Sequence, residues 1–224
     1  MILLDYSQIA LSNIIVQKLN DENMIRHMIL NSIRMYNKKY RDEYGQMVIC
    51  ADGANTWRRS YFPEYKAHRK KNRDESSQDW SEIFRILNLV RDEIRENLPY
   101  KVIHIEGCEA DDVIGTLALQ TQEFGQHEPV MVISSDKDFI QLQKFNNVKQ
   151  FSPIQKKLVT DPNPRKYMFE HICKGDKGDG IPNILSPDNA IIDEIRQSPM
   201  TKKKMEYWAD NADNLKEVMT AEEY

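Results

Sequence analysis

The sequence predicts an α/β fold: a mainly parallel central sheet flanked by helices, followed by a smaller helical region. Three observations carry this. Short, nearly unbroken apolar runs recur through the first 136 residues, as strands buried on both faces require. The runs are separated by stretches long enough for a helix, several of them with helical spacing of apolar residues. After Asp161 the composition shifts, with "KGDKGDGIPNILSPDNA" rich in Gly, Pro, Asp and Asn.

Taken in order, "MILLDY" is a short apolar run closing on an acid and reads as a buried strand. Residues 23–44 place Ile25, Met28, Ile29, Ile33, Tyr36 and Tyr40 at helical spacing, which predicts a long amphipathic helix. "QMVICAD" (46–52) is a second strand, again closing on Asp. A polar stretch, 53–80, comes next, then a helix over about 81–97. "YKVIHIE" (100–106) is a third strand, with a helix starting near Glu109. "PVMVISSD" (129–136) is a fourth strand and ends on an acid. Beyond Asp161 the turn-rich stretch and the polar helical segments after it form the smaller region.

Composition narrows the function classes. With 224 residues, 40% hydrophobic and 29% charged, the chain can bury a sizeable core. It contains no run of ~18 apolar residues that could span a bilayer. The N-terminus lacks a basic leader and carries Asp5 within its apolar stretch, which argues against a signal peptide. Cys50, Cys108 and Cys173 lie far apart with no CxxC spacing, which suits reduced thiols better than disulfides or a zinc site. There is no internal repeat and no low-complexity segment.

Three of the four predicted strands close on an aspartate: Asp5, Asp52 and Asp136. In open α/β sheets the carboxyl ends of the strands form the ligand crevice. Asp138 follows two residues later, and "EADD" supplies Glu109, Asp111 and Asp112 after the third strand. These seven acids are expected on one sheet edge, where like charges raise one another's pKa unless a cation compensates. Oxygen-only donors favour a hard divalent ion, Mg²⁺ or Mn²⁺, over zinc, and predict a nest for two metals. Plainer readings exist for each acid alone. Asp5 could be a helix cap, Glu109 and Asp111 could answer a helix dipole, and "SSDKD" could be a simple loop.

The basic stretch stands against this. Between Trp57 and Arg73 the chain has seven Lys or Arg and one acid, Glu64, although the formal net charge is −4. Trp57, Tyr61, Phe62 and Tyr65 interleave with Arg58, Arg59, Lys66, Arg69, Lys70, Lys71 and Arg73. Basic groups bind phosphates and aromatic faces stack on unpaired bases, the combination expected for single-stranded nucleic acid. The alternative is a solvated helix face with its aromatics in the core. Because it starts right after Asp52, the stretch is expected to overhang the metal nest. Without the seven acids and Asp176 and Asp179, the formal charge would be +5 instead of −4, so the acidity belongs to the site.

"LLDYSQ", "ICADGA", "WRR…YKAHR", "EADD", "SSDKDF" and "KGDKGDGIP" occur in the order of the motifs of the flap endonuclease (5′-nuclease) family. Within it, the chain resembles the tailed-phage ribonuclease H branch. The likeness runs from Asp5 to about Pro182. It implies a Mg²⁺-dependent, structure-specific 5′→3′ nuclease, a hydrolase that removes RNA primers and 5′ flaps in lagging-strand replication. The implied organisation is an α/β nuclease core, 1–160, that includes a basic helical arch at 53–80. A helical, helix–three-turn–helix subdomain at 161–224 would hold duplex and looks C-terminally truncated.

Carried over by position, Asp5, Asp52, Glu109, Asp111, Asp136, Asp138 and Asp179 match the family's metal acids, with Asp112 and Asp176 as supporting acids. Asp5 and Asp138 are the acids given a catalytic role, with Lys66. Lys66 matches the arch residue that reaches the scissile phosphate, Tyr65 precedes it, and Arg58, Arg69 and Arg73 fall where phosphates are contacted. Gly175, Gly178 and Gly180 resemble the turn that holds duplex through backbone N–H groups. The resemblance implies two Mg²⁺ ions, replaceable by Mn²⁺, and a monovalent cation near residues 175–186. It implies DNA and RNA–DNA hybrids with a free 5′ end or flap as substrates. A sliding clamp and a single-strand-binding protein are the candidate partners, although no clamp-binding tail is visible. A monomer in the cytoplasm, a host's if phage-encoded, with no membrane contact, completes the expectation. The chain departs from the family in its shorter C-terminus and in "ILSPDNA", where cellular members have a glycine-rich turn.

Other readings stay open on sequence. A phosphohydrolase with an aspartyl nucleophile needs its DxD after the first strand, and here it follows the fourth. A non-catalytic nucleic-acid binder leaves the clustered acids unexplained. A related metal-dependent single-strand ribonuclease is the nearer rival, and "YKAHR" and "GDKGDGIP" argue against it.

Overall fold

A computed structural model describes residues 1–17, 21–123 and 126–220. The chain forms two compact units, Met1–Thr56 with Asp79–Asp161 and Trp57–Gln78 with the chain from Pro162 on. The basic segment thus clusters with the C-terminal region rather than with residues 1–160. One backbone bond and one side-chain bond within that unit join them: Lys66 N–H donates to the Asp179 carbonyl at 2.7 Å, and Arg69 Nε to the Gly178 carbonyl at 3.0 Å.

The larger unit is built on a six-stranded sheet of β1 (Ile2–Asp5), β2 (Met47–Ala51), β3 (Lys101–His104), β4 (Val130–Ile133), β5 (Val148–Ser152) and β6 (Lys157–Val159). Strand order is β3-β2-β1-β4-β5-β6, parallel throughout except for the antiparallel β5–β6 pair. Leu4 pairs in register with Ile49 on one side and Ile133 on the other.

Side-chain alternation along the strands sorts the core into two layers. Ile2, Leu4, Ile49, Met131 and Ile133 pack with α1 (Tyr6–Gln17), α2 (Glu22–Tyr44) and α5 (Trp80–Asn97). Leu3, Cys50, Val130, Val132 and Val148 pack with α6 (Ala110–Gln120) and a 3₁₀ helix, Lys137–Lys144. The period read in 23–44 is a real face: Ile25, Ile29, Ile33, Tyr36 and Tyr44 of α2 are buried, and Asp21 caps the helix by accepting from Met24 N at 2.7 Å.

Four elements lie outside the sequence expectation. In α1, Tyr6, Ile9, Ala10 and Ile14 are buried on one face, but Leu11 and the exposed Ile15 are also apolar, so the sequence shows no clean stripe. The 3₁₀ helix, β5 and β6 are short; "VKQFS" carries polar residues where a buried strand should be apolar, and "KLV" is a largely exposed edge strand. Cys50, Cys108 and Cys173 are free thiols. Among the described residues no helix is long and apolar enough to cross a membrane.

The second unit contains α3 (Arg58–Tyr61), α4 (His68–Asp74), α7 (Pro164–Lys174), α8 (Lys202–Asp210) and α9 (Leu215–Val218). Asn163 and Thr201 cap α7 and α8 by accepting from Lys166 N and Lys204 N. The chain leaves α7 at Gly175, whose φ is +71°. A Cβ there would lie 2.3 Å from the Pro182 carbonyl oxygen, so only glycine lets the 175–182 turn close on itself.

Candidate active site

Every parallel strand ends on the same edge, and the order reverses direction at β1, which has β2 on one side and β4 on the other. That is where a crevice opens beyond the carboxyl ends. Asp5 is the last residue of β1 and Asp52 follows β2 directly. Glu109 precedes α6, Asp111 and Asp112 stand in its first turn, and Asp136 and Asp138 follow β4. The acids expected from the first four strands therefore share one edge of one unit.

Several are held by a helix start or a loop bond. Asp5 Oδ1 accepts from Gln8 N at 3.1 Å, so it does cap α1, and its Oδ2 accepts from Ser134 Oγ at 2.9 Å. Asp52 Oδ1 accepts from Ala110 N at 2.7 Å, tying the end of β2 to the start of α6. Asp112 Oδ2 accepts from Glu109 N at 2.9 Å, a helix-capping contact. Asp136 Oδ1 accepts from Asp138 N at 2.9 Å.

Asp5 shows what this crowding does. Burial first, then the charges of Asp52 and Asp136, push its carboxyl up to about 7, against the opposing bonds from Gln8 and Ser134. Beside these acids an open cleft of about 500 Å³ is lined by Tyr6, Asp52, Phe84, Arg91, His104 and Glu106. The sequence reading gave no role to Arg91 or His104, which in the chain look like an ordinary helix-surface base and a strand residue.

In the second unit, Asp179 is bound by the basic segment. Its Oδ1 accepts from Arg69 at 2.6 Å, its Oδ2 accepts from Tyr65 Oη at 3.1 Å, and Lys66 Nζ lies 3.8 Å away. Burial raises the Asp179 pKa while the Lys66 and Arg69 charges pull it down. Asp176 accepts from Gly178 N at 2.6 Å and Asp179 N at 3.2 Å, and lies 3.5 Å from His171. Both acids, expected in the metal nest, thus have partners inside their own unit.

Lys66 has a φ of +55°, unusual for a side chain with a Cβ and held by its bond to the Asp179 carbonyl. Its ammonium lies 4.7 Å from the Tyr65 ring centroid, and the Arg58 guanidinium 4.9 Å from that of Trp57. Arg73 lies on α4. Tyr65, expected to offer its face to a base, is 3% exposed because its hydroxyl reaches inward to Asp179. Tyr61 at 82% and Trp57 at 48% carry the open faces. The amides of Gly175, Gly178 and Gly180, expected to face phosphates, donate to His171 O, Asp176 Oδ1 and Lys177 O. The first of those bonds ends α7, and the other two lie within the turn itself.

Known proteins resemble this chain in sequence and in fold. A family profile described as the 5′-3′ exonuclease N-terminal resolvase-like domain matches residues 4–170. The ribonuclease H of Enterobacteria phage T4 is 36% identical over 234 aligned positions, covering 99% of this chain and 76% of that protein. A 5′-3′ exonuclease of Buchnera aphidicola subsp. Schizaphis graminum is 28% identical over 176 positions, covering 74% of this chain and 57% of its own length. A bacteriophage T5 flap endonuclease, solved as a pseudo-enzyme-product complex with DNA and metal ions, superposes with a TM-score of 0.68. It covers 97% of this chain and 86% of its own, and at 17% identity the likeness speaks for the fold.

Proposed function

The chain belongs to the flap endonuclease (5′-nuclease) family of 5′-3′ exonucleases and is a nuclease, a hydrolase of ester bonds; from that premise we propose a Mg²⁺-dependent, structure-specific 5′→3′ nuclease. Its task would be the removal of RNA primers and 5′ flaps in lagging-strand replication. One observation carries the reading: acids from β1, β2, α6 and β4 meet at one sheet edge, where Asp5 is pushed up to about 7.

The donor set fits hard divalent ions. The acids named from the sequence offer carboxylate oxygens, and Asp5 is raised by burial and by neighbouring acids, a repulsion that a bound cation reverses. Asp5, Asp52, Glu109, Asp111, Asp136 and Asp138 would hold two Mg²⁺ ions, or Mn²⁺ in their place, with Asp179 as a further ligand and Asp112 and Asp176 in support. Bound there, the ions supply a water of lowered pKa and stabilise the leaving 3′ oxygen.

The chain's own groups do the rest. Lys66 and Arg69, which pair with Asp179, would offset charge on the phosphoryl oxygens. Arg58 and Arg73 would bind neighbouring phosphates, and Trp57 and Tyr61 would stack on bases of the free 5′ strand. In this division of labour, 1–160 is the nuclease core, 53–80 acts on the single strand, and 161–224 grips the duplex, with a monovalent cation near 175–186. DNA with a free 5′ end or flap is the proposed substrate, which the T5 neighbour's complex with DNA supports, and RNA–DNA hybrids are proposed beside it from the resemblance. A monomer acting in the cytoplasm, beside a sliding clamp and a single-strand-binding protein, is the setting that fits the resemblance.

The test is cleavage of a 5′-flap duplex and an RNA–DNA hybrid, each labelled at the 5′ end, with Mg²⁺ or EDTA. Mg²⁺-dependent release of short 5′ products, lost in Asp138→Asn, supports the reading. Cleavage that persists in EDTA, or binding with no cleavage in Mg²⁺, refutes it.

A further inference from the structure

Gln150 is a polar side chain inside the core. It sits on β5 between Val148 and Phe151 and is 1% exposed. A buried amide is tolerated only where its donors and acceptor are matched. Its Nε2 donates to the Ser134 carbonyl at 3.0 Å and to the Asp136 carbonyl at 2.6 Å. Its Oε1 accepts from Gln143 Nε2 at 3.3 Å, and Gln143 Oε1 in turn accepts from Asp161 N at 2.9 Å. Carbonyl oxygens cannot donate, so the atom facing two of them must be the NH₂ end, and chemistry fixes the amide's orientation.

Both carbonyls belong to the loop that leaves β4 carrying Asp136 and Asp138. Strand pairing cannot hold this loop, because β4 ends at Ile133 and the last backbone bond to β5 is Ser134 N to the Phe151 carbonyl at 3.1 Å. Side chains take over from there. Ser134 is fully buried, and its Oγ accepts from Asp136 N at 3.1 Å while donating to Asp5 Oδ2 at 2.9 Å. A single hydroxyl therefore joins the carboxylate of β1 to the loop after β4. Asp138 N bonds back to Asp136, and Gln141 Nε2 donates to the Asp138 carbonyl at 2.9 Å.

The geometry points to Gln150 as a positioning residue for the divalent-ion site: by clamping the Ser134 and Asp136 carbonyls it holds Asp136 and Asp138 in register with Asp5. This rests on the reading above that these carboxylates bind divalent ions. Groups that orient metal-binding side chains act on ion affinity, typically by about 10- to 100-fold. Gln150 touches neither ion nor substrate, so its loss acts on the ions and not on the chemistry once they are bound.

Gln150→Met keeps the length and removes the donors; Gln143→Leu removes only the support for Oε1. Both are measured by calorimetric titration with Ca²⁺ and with Mg²⁺ in the absence of DNA, alongside the Mg²⁺ concentration that half-saturates cleavage and thermal unfolding in EDTA. The expected result for Gln150→Met is a cooperative fold, ion affinity weakened about 10- to 100-fold, and kcat at saturating Mg²⁺ close to that of the wild type. Gln143→Leu shifts affinity the same way by less. Wild-type ion affinity in Gln150→Met overturns the assignment, whatever happens to kcat or stability. If Gln150→Met does not fold, unchanged affinity in Gln143→Leu overturns it. A wild-type protein that binds no divalent ion removes the functional reading itself, and this assignment with it.

Discussion

Gly53→Ala adds a single methyl group beside the end of β2, where the backbone has no room for it. A Cβ on Gly53 would stand 2.0 Å from the Ile105 carbonyl oxygen, 2.9 Å from its carbon and 3.0 Å from the Cys108 carbonyl oxygen. All three are backbone atoms, so no side chain can swing aside. Relief requires the 52–54 and 105–108 segments to part by about 1 Å or more, given ordinary carbon contacts of roughly 3.5 Å. Two short bonds lie across that seam, Gly53 N to the Cys108 carbonyl and Ala110 N to Asp52 Oδ1, each 2.7 Å. Losing them costs about 1 kcal/mol apiece, and overpacking adds about 1–3 kcal/mol. For a chain of this size each kcal/mol lowers Tm by about 2–4 °C. Displacing Asp52 by about 1 Å should lower cleavage about 10²-fold. The assay is single-turnover cleavage of a 5′-flap duplex, with thermal unfolding on the same samples. A Gly53→Ala protein with wild-type Tm and rate would show that the seam is not rigid and that Asp52 is not held by it.

The raised Asp5 pKa has a definite sign. The folded, metal-free protein keeps this proton up to about pH 7, whereas the unfolded chain releases it near 4. Its contribution to stability is therefore full below about pH 4 and is lost as pH rises through about 7, by at most ~4 kcal/mol because Asp5 is only partly shielded from solvent. Thermal unfolding in EDTA should show Asp5→Asn gaining on the wild type between those pH values; parallel curves refute this. Lys66→Ala should slow cleavage about 10²–10³-fold, roughly 3–4 kcal/mol of barrier. A wild-type rate in Lys66→Ala, while Asp138→Asn is inactive, would remove Lys66 from the mechanism. In the core, Leu4→Ala, at a fully buried position, should cost about 2–5 kcal/mol in chemical unfolding. Leu119→Ala, at a residue 55% exposed, should cost about 0.5 kcal/mol or less. Equal losses would contradict the packing described.

By itself the sequence determined the sheet and the acids at its edge. β1, β2 and β4 are legible because a strand buried on both faces is apolar nearly throughout, and a short apolar run closed by an acid has few other uses; the edge strand β3 shows only Val102 and Ile103 between polar residues. Helix α2 is legible because half of it faces water, so its buried residues recur with the helical period. The tertiary structure decided whatever depends on partners distant in the chain. α1 leaves no stripe because apolar residues such as Leu11 and Ile15 also lie off its buried face, and β5 hides behind Lys149 and Gln150, a polar pair that looks like surface. Gln150 is the sharpest case: its amide is inside only because two carbonyls 14 and 16 residues away are there to meet it. Tyr65 likewise reads as an exposed aromatic among bases, yet it turns inward because Asp179, 114 residues on, accepts its hydroxyl. Hydrophobic pattern is a local property of a chain, whereas the pairing that makes a buried polar group tolerable exists only once the chain has closed on itself.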